Sequence, residues 1–447
     1  MSLRSCLATL EQTGELQTVQ QEVDPTLEMA RVISALDERP VLFPRVKGSR
    51  FAVVAGFNAR REHVGQCLGV PRQQLIAAIR SALQHPVPPP VVTSAPCQEV
   101  VEDQVNLFDL PLLLHLPMDG GHYISAGVVI VRDRDLGRNM SFHRLLRLDE
   151  RRLGARLVEG RGTHTALGKA GGKLELAICI GNSPAVLLAA ATSPAPGVDE
   201  LAIANALQPT PLVKCRTVDL EVPAEAEFVL EGRFTGELVT EGPFLDLTET
   251  MDRVRQQPVL EVTCLTHRRE AIYQALLPGG LEHKLLMGMP REPTIFDEVS
   301  RVCECKDVLL TPGGGAWLHA VVQIHKRGPD DGRLALEAAF RGHGSLKHAC
   351  VVDDDVDISD PRQVEWAIAT RVQADTSIVI WPDQPGSSLD PSAHHEPGVR
   401  SRTAKMGVDA TIPWRKPDGE LRTAKERAQF RRSGYEPVSL DQYRLHW

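Results

Sequence analysis

With 447 residues, 42% of them hydrophobic, the chain is long enough to bury two or three cores, because single domains usually run to ~100–200 residues. A formal net charge of -8 and only 4% aromatic residues argue against a nucleic-acid partner, which would call for a basic surface or stacking platforms. No stretch approaches the ~18–20 apolar residues needed to span a bilayer, and the first twenty residues lack a signal-peptide core, so a cytoplasmic chain with no membrane partner is expected.

In chain order, residues 3 to 13 and 25 to 36 carry apolar positions at helical spacing, with Asp24 and Pro25 suited to start the second helix. Residues 50 to 55 read as a short strand and 73 to 84 as an amphipathic helix. The run His85-Pro-Val-Pro-Pro-Pro90 then marks a surface connection, which places a first boundary between residues 90 and 115. From about residue 123 to 265, β-like runs recur at 125–131, 140–148, 174–180, 185–190, 212–218, 227–232 and 259–266, the density of a barrel or sandwich. A third region opens with 307–311 and the triplet Gly313 to Gly315, continues through a strand at 316–325 and a helix at 361–372, and ends on a strand at 377–381. Residues 415–447 read as charged and irregular. The nine cysteines are scattered, and Cys303 and Cys305 are too close for a zinc motif, so reduced buried thiols are expected.

Several segments carry residues able to do chemistry. Arg138-Asn-Met-Ser-Phe-His-Arg144 sits in a β-like run, where an ordinary solvated arginine is the plain alternative. Asn139 and Arg144 are five apart and fall on opposite faces of a regular strand, so they share a site only across a bulge or bend. Gly160-Arg-Gly-Thr-His164 is a turn whose histidine is ordinarily a surface residue. Glu241-Gly-Pro-Phe244 holds a carboxylate at a strand end. Asn139, His164 and Glu241 offer two oxygens and a nitrogen, a set suited to Mn²⁺ or Mg²⁺ rather than to a thiol-rich zinc site. Pro278-Gly-Gly-Leu-Glu-His283 is a glycine-rich loop with a candidate acid, Glu282. The acidic run 351–357 lacks the glycine and terminal glutamate of a calcium loop.

The order of these segments resembles the UbiD family of prenyl-FMN-dependent decarboxylases. The resemblance is carried by Leu212-Val-Lys-Cys-Arg-Thr-Val-Asp-Leu-Glu-Val-Pro-Ala-Glu-Ala-Glu227, Val229-Leu-Glu-Gly232, Glu241-Gly-Pro-Phe244, residues 351–357 running into Pro361-Arg-Gln-Val-Glu-Trp366, Gly386-Ser-Ser-Leu-Asp390 and Lys405-Met-Gly-Val-Asp-Ala-Thr411. It implies an α+β multidomain fold: an α/β N-terminal domain at 1–110, a split β-barrel flavin- and metal-binding domain at 111–305, and an α/β oligomerisation domain at 306–447. It further implies metal ligation by Asn139, His164 and Glu241, and a catalytic Arg144 orienting the substrate carboxylate. Glu282 is the implied proton donor, with Glu270 the nearest candidate for a second acid. Cofactor contacts are implied for Ser141, Lys405 and the potassium- and flavin-binding loop Ala191-Thr-Ser-Pro194, hence Thr192 and Ser193. Leu245 stands where the family has glycine, and Ser141 and His143 depart from its Asn-x-Gly-x-Tyr-Arg pattern.

The implied activity is reversible non-oxidative decarboxylation of an aromatic, heteroaromatic or α,β-unsaturated acid, with prenylated FMN, Mn²⁺ or Mg²⁺ and K⁺ as cofactors. The implied partners are the acid, CO₂, a flavin prenyltransferase that supplies the cofactor, and a second copy of the chain. Trp317-Leu-His-Ala-Val-Val-Gln-Ile324 with its basic exit is similar to the furan-dicarboxylate branch, which makes His283, His319 and Arg327 substrate-contact candidates. Two other readings stay open: a flavin-binding partner protein without activity, and a metal-dependent hydrolase that needs no flavin.

Overall fold

The computed structural model describes residues 2–396, 399–433 and 438. They form two compact units: one of residues up to 294 with 310–319 and 385–403, the other of 295–309, 320–384 and the chain from 404 onward.

The first unit is built on a nine-stranded sheet with the order Tyr123–Ile124, Leu145–Arg147, Arg152–Ala155, Arg255–His267, Phe228–Glu241, Glu175–Ile180, Val128–Asp133, Gly137–Phe142, and Val100–Val101 pairing off this path. Its central pair of long strands is antiparallel, with register shifts between Glu231 and Gly232 and between Phe234 and Leu238, the kind of bulge that bends a sheet. Both faces are covered. Leu176, Ile178 and Ile180 enter one core and Ala177 and Cys179 the other, as do Val129 and Val131 against Val128 and Ile130. Successive side chains point to opposite faces of a strand, so a sheet buried on both sides reads as an unbroken apolar run. A four-stranded sheet of Gln17–Thr18, Val41–Phe43, Ala52–Ala55 and Ile272–Gln274 completes the N-terminal part.

The second unit is built on a five-stranded sheet ordered Glu304–Leu310, His319–His325, His348–Asp353, Arg402–Asp409, Ile378–Pro385. The helices Asp331–Gly342 and Pro361–Arg371 alternate with its strands, as the βαβ reading requires.

Several expectations change. Residues 185–190 form the helix Pro184–Ala190, not a strand: Ser183 caps it by accepting from Val186 N, Pro184 opens it, and all seven residues are buried. Burial all round removed the periodicity that distinguishes the two. The second helix begins later, at Glu28, and the Asp24 side chain instead accepts from Thr26 N at 2.8 Å in a turn. Cys6 and Cys67 are disulfide-bonded, tying the helix Leu3–Gln12 to Arg61–Leu68, while the other seven cysteines are free. A separation of 61 residues gives spacing arguments no hold on that pair. Of the stretch 415–447, residues 434–437 and 439–447 lie outside those described, and the remainder contains the helix Ala424–Ala428 capped by Thr423. Among the described residues, no helix is long and apolar enough to cross a membrane.

Candidate active site

The β-like run 140–148 is two strands, Gly137–Phe142 and Leu145–Arg147, separated at His143 and Arg144. That break supplies the bend the sequence demanded and sends Arg144 into a cluster of acids. Its Nε and Nη2 donate to the two oxygens of Glu241 at 2.9 and 3.0 Å, Nη2 also to Asp252 at 2.9 Å, and Nη1 to Asp246 at 3.2 Å. Glu241 ends the long strand Phe228–Glu241, and Tyr123 Oη donates to it at 3.1 Å. Asp246 and Asp252 flank the short hairpin that follows, Phe244–Leu245 with Met251–Asp252. Burial alone would lower the Arg144 pKa; the three carboxylates outweigh it and hold the guanidinium charged. Asp252 also faces Arg255 at 2.7 Å and Arg156 at 3.8 Å, so three acids meet three arginines. The Phe244 ring lies 4.9 Å from Arg144 Cζ.

His283 belongs to the same neighbourhood. Burial pulls its imidazole below the ordinary range, Asp246 opposes this and Arg144 adds to it. Its Nδ1 accepts from Gly279 N at 3.0 Å.

Asn139 lies elsewhere on the same segment. Its Nδ2 is 3.3 Å from Glu200 Oε1, and its Oδ1 accepts from Thr163 Oγ1 at 3.3 Å. Glu200 opens the helix Glu200–Leu207 and accepts from Met140 N at 3.0 Å. Burial pushes its carboxyl up to about 7. Arg138 is committed to Asp199 and Glu221, and among the described residues no cation pairs with Glu200. The carboxylate faces the Asn139 amide nitrogen, and the amide oxygen meets the Thr163 hydroxyl; carboxylate, amide and hydroxyl oxygens are the donors a hard divalent cation takes. Gly162 packs against Asn139 so closely that a Cβ there would stand 2.7 Å from the Asn139 side chain.

Asn139, His164 and Glu241, the expected metal set, each meet other partners in this structure. Glu241 is engaged by Arg144 and Tyr123, Asn139 by Glu200 and Thr163. His164 is exposed in the first turn of Gly162–Lys169, its Nδ1 3.4 Å from Gly160 N. Glu282 does not join Arg144 either: its buried carboxylate accepts from Gly56 N, Asn58 N and Asn58 Nδ2 at 2.8, 3.0 and 3.1 Å. Glu38 in turn accepts from Leu281 N and Glu282 N, so the two acids clamp the start of the helix Leu281–Gly288. Glu270 is an exposed turn residue at φ 54° between two strands, remote in role from the network in which it was sought. His319 pairs with Thr311 Oγ1 at 3.0 Å. Arg327 is exposed in the second unit and salt-bridged to Glu304. Lys405, also in the second unit, donates to the Gly344 carbonyl at 2.9 Å. Thr192 Oγ1 donates to Ala189 O at 2.7 Å, and Ser193 Oγ accepts from Arg291 at 2.6 Å.

Arg291 escaped the sequence reading. Its Nη2 reaches Ser193 and the Ala191 carbonyl, at 2.6 and 3.3 Å, and its Nε is buried without a partner. Burial and the nearby Arg161 pull its pKa down to about 10. Among the described residues no carboxylate pairs with it, in contrast to Arg138 and Arg144. Asp246, two residues beyond the quoted Glu241-Gly-Pro-Phe244, was legible in the sequence as a second acid, whereas Glu200 in an apolar helix gave no such signal.

Three family models match in order: the N-terminal, Rift-related and C-terminal domains of 3-octaprenyl-4-hydroxybenzoate carboxy-lyase, at residues 7–83, 90–281 and 284–410. Among curated relatives, the anhydromevalonate phosphate decarboxylase of Methanothermobacter thermautotrophicus is 41% identical over 90% of this chain and 96% of its own. Among solved structures, HmfF from Pelotomaculum thermopropionicum in complex with FMN is 39% identical, with a TM-score of 0.91 over 99% of this chain and 100% of that one. An evolved dimeric form of HmfF with prFMN, also 39% identical, gives 0.85 over 94% and 96%.

Proposed function

The chain belongs to the UbiD family of carboxy-lyases, and on that premise we propose that it removes CO₂ from an α,β-unsaturated carboxylic acid with a prenylated flavin mononucleotide and a divalent metal. The observation that carries the reading is the grip of Glu241, Asp246 and Asp252 on Arg144. A flavin carrier needs no such cluster, and a hydrolase that needs no flavin stands apart from the flavin-bound relatives.

When bound, the prenylated flavin supplies the electron sink for the carbon that loses CO₂. Asn139 and Glu200 would hold the divalent metal beside its phosphate, in place of the set with Glu241. Arg144 has one N–H on Nη1 beyond the Asp246 contact, and this is the donor left for the substrate carboxylate. An incoming carboxylate unbalances a cluster of three acids and three arginines, so a proton enters with it. Asp246 is the acid placed to carry that proton: Glu241 gives both oxygens to Arg144 and Asp252 is shared between Arg144 and Arg255, whereas Asp246 meets a single arginine through one oxygen, accepts from Leu247 N with the other at 2.6 Å, and is one-fifth exposed. Asp246 then donates to the carbon after CO₂ leaves, the part first given to Glu282, and His283 beside it completes the polar wall.

Anhydromevalonate phosphate is the first substrate to test, since relatives 39–42% identical carry that activity in their names. Arg291 is the receptor for its phosphate, a buried guanidinium with an open donor and, among the described residues, no carboxylate partner. We place the enzyme in the cytoplasm, as a homodimer charged by a flavin prenyltransferase; the dimeric relative supports the assembly. The experiment compares CO₂ release from anhydromevalonate phosphate, furan dicarboxylate and 3,4-dihydroxybenzoate in wild type and Arg291→Leu. The variant raises KM for the phosphate-bearing acid and keeps its flavin. Loss of flavin with unchanged KM would assign Arg291 to the cofactor instead.

A further inference from the structure

Tyr123 begins the short strand Tyr123–Ile124 and is fully buried, so its hydroxyl needs a partner inside the protein. That partner is Glu241 Oε1, 3.1 Å away. The same oxygen accepts from Arg144 Nε at 2.9 Å, and Oε2 accepts from Arg144 Nη2 at 3.0 Å. Among the described residues, these three groups are the donors that reach the Glu241 carboxylate, which is itself fully buried.

A fork of two parallel N–H···O bonds holds a guanidinium only as firmly as the carboxylate is held. A glutamate side chain turns about several bonds, so a pair joined by that fork alone can swing as a unit. The third bond comes from a different strand and stops the swing. The space around the phenol is closed as well: a Cβ on Gly120 would stand 3.3 Å from Tyr123 Oη and 2.6 Å from the Gly242 carbonyl oxygen.

Tyr123 reaches Arg144 by a second route. Its ring centroid lies 4.3 Å from that of Phe244, whose ring centroid is 4.9 Å from Arg144 Cζ. His115 meets Phe244 edge-on, with 5.9 Å between centroids. Hydrogen bonding through Glu241 and packing through Phe244 thus converge on one guanidinium from one tyrosine.

We propose that Tyr123 is a positioning residue of the decarboxylation: through Glu241 and Phe244 it fixes the orientation in which Arg144 presents its remaining Nη1 N–H to the substrate carboxylate. The inference rests on the reading of Arg144 as the anchor of that carboxylate.

The test takes anhydromevalonate phosphate as the acid and, as inhibitor, its decarboxylation product, the same molecule with hydrogen in place of the carboxylate. Tyr123→Phe keeps the ring against Phe244 and removes the hydroxyl. Its KM for the acid rises about 10–100-fold, the worth of a hydrogen bond to a charged group, while the Ki of the product and the bound flavin stay at wild-type values. Phe244→Leu reaches Arg144 by the other route and raises KM about 2–30-fold, so the inference does not depend on one variant folding. Exchange of the Arg144 Nε–H with solvent, followed by NMR of the protein without substrate, quickens in Tyr123→Phe. Wild-type KM in Tyr123→Phe, or KM and Ki rising together in both variants, overturns the inference. If the wild type releases no CO₂ from this acid, the reading of the substrate fails and the exchange measurement decides the inference by itself: an Nε–H equally protected in wild type and Tyr123→Phe overturns it.

Discussion

Asp246→Asn separates the chemistry of the Arg144 cluster from its structural role. The substitution keeps an acceptor oxygen opposite Arg144 Nη1 and removes the transferable proton. The lost contact is the single bond from Leu247 N to the other carboxylate oxygen, 2.6 Å, and Arg144 keeps Glu241 and Asp252, so the guanidinium is not orphaned. Stability should fall by about 1 kcal/mol, the net worth of one such bond, and not by the larger cost of an unpaired buried charge. Turnover should fall far more. A positioned general acid contributes about 10²–10⁴-fold, or ~3–5 kcal/mol of barrier at ~1.4 kcal/mol per decade. The assay is CO₂ release at saturating acid, with flavin absorbance and a melting curve on the same samples. A flavin-loaded, folded Asp246→Asn with wild-type turnover refutes the assignment, and a collapse in Glu282→Gln instead would return the proton to Glu282.

Glu282 has a different signature. Burial pushes its carboxyl up to about 7 from 4.5, so the fold takes up a proton between those values. Its contribution is therefore greatest below pH 4.5 and is lost as pH rises through 7, on the order of 3 kcal/mol at ~1.4 kcal/mol per unit. Glu282→Gln should flatten the decline of Tm between pH 5 and pH 8; parallel curves would show that Glu282 does not titrate there. Gly162→Ala drives a Cβ to within 2.7 Å of the Asn139 side chain. Flavin and metal retention should drop with little change in Tm, and full retention would mean that Asn139 does not hold the site.

The sequence was most informative where chemistry and local order coincide. Arg144 and Glu241 were both named from short motifs, but as an orienting group and a metal ligand; their ion pair spans 97 residues, and no local pattern reports it. The five-residue spacing of Asn139 and Arg144 correctly demanded a break in the strand, found at His143 and Arg144. Glu200 and Arg291 gave no signal in the sequence because what sets them apart is the lack of a counter-ion among the described residues, which only the fold reveals. Glu282 was named from its glycine-rich loop, and what that local pattern could not report is that the backbone amides of Gly56 and Asn58 donate to it. The buried helix Pro184–Ala190 passed for a strand because an element apolar on all sides has no periodicity.

The most direct test is the absorbance and mass spectrum of the protein co-produced with a flavin prenyltransferase, followed by CO₂ release from anhydromevalonate phosphate and the aromatic acids. The account predicts bound prenylated FMN and turnover that requires it. A protein that stays colourless after cofactor reconstitution, or that releases CO₂ equally well without flavin, would contradict it.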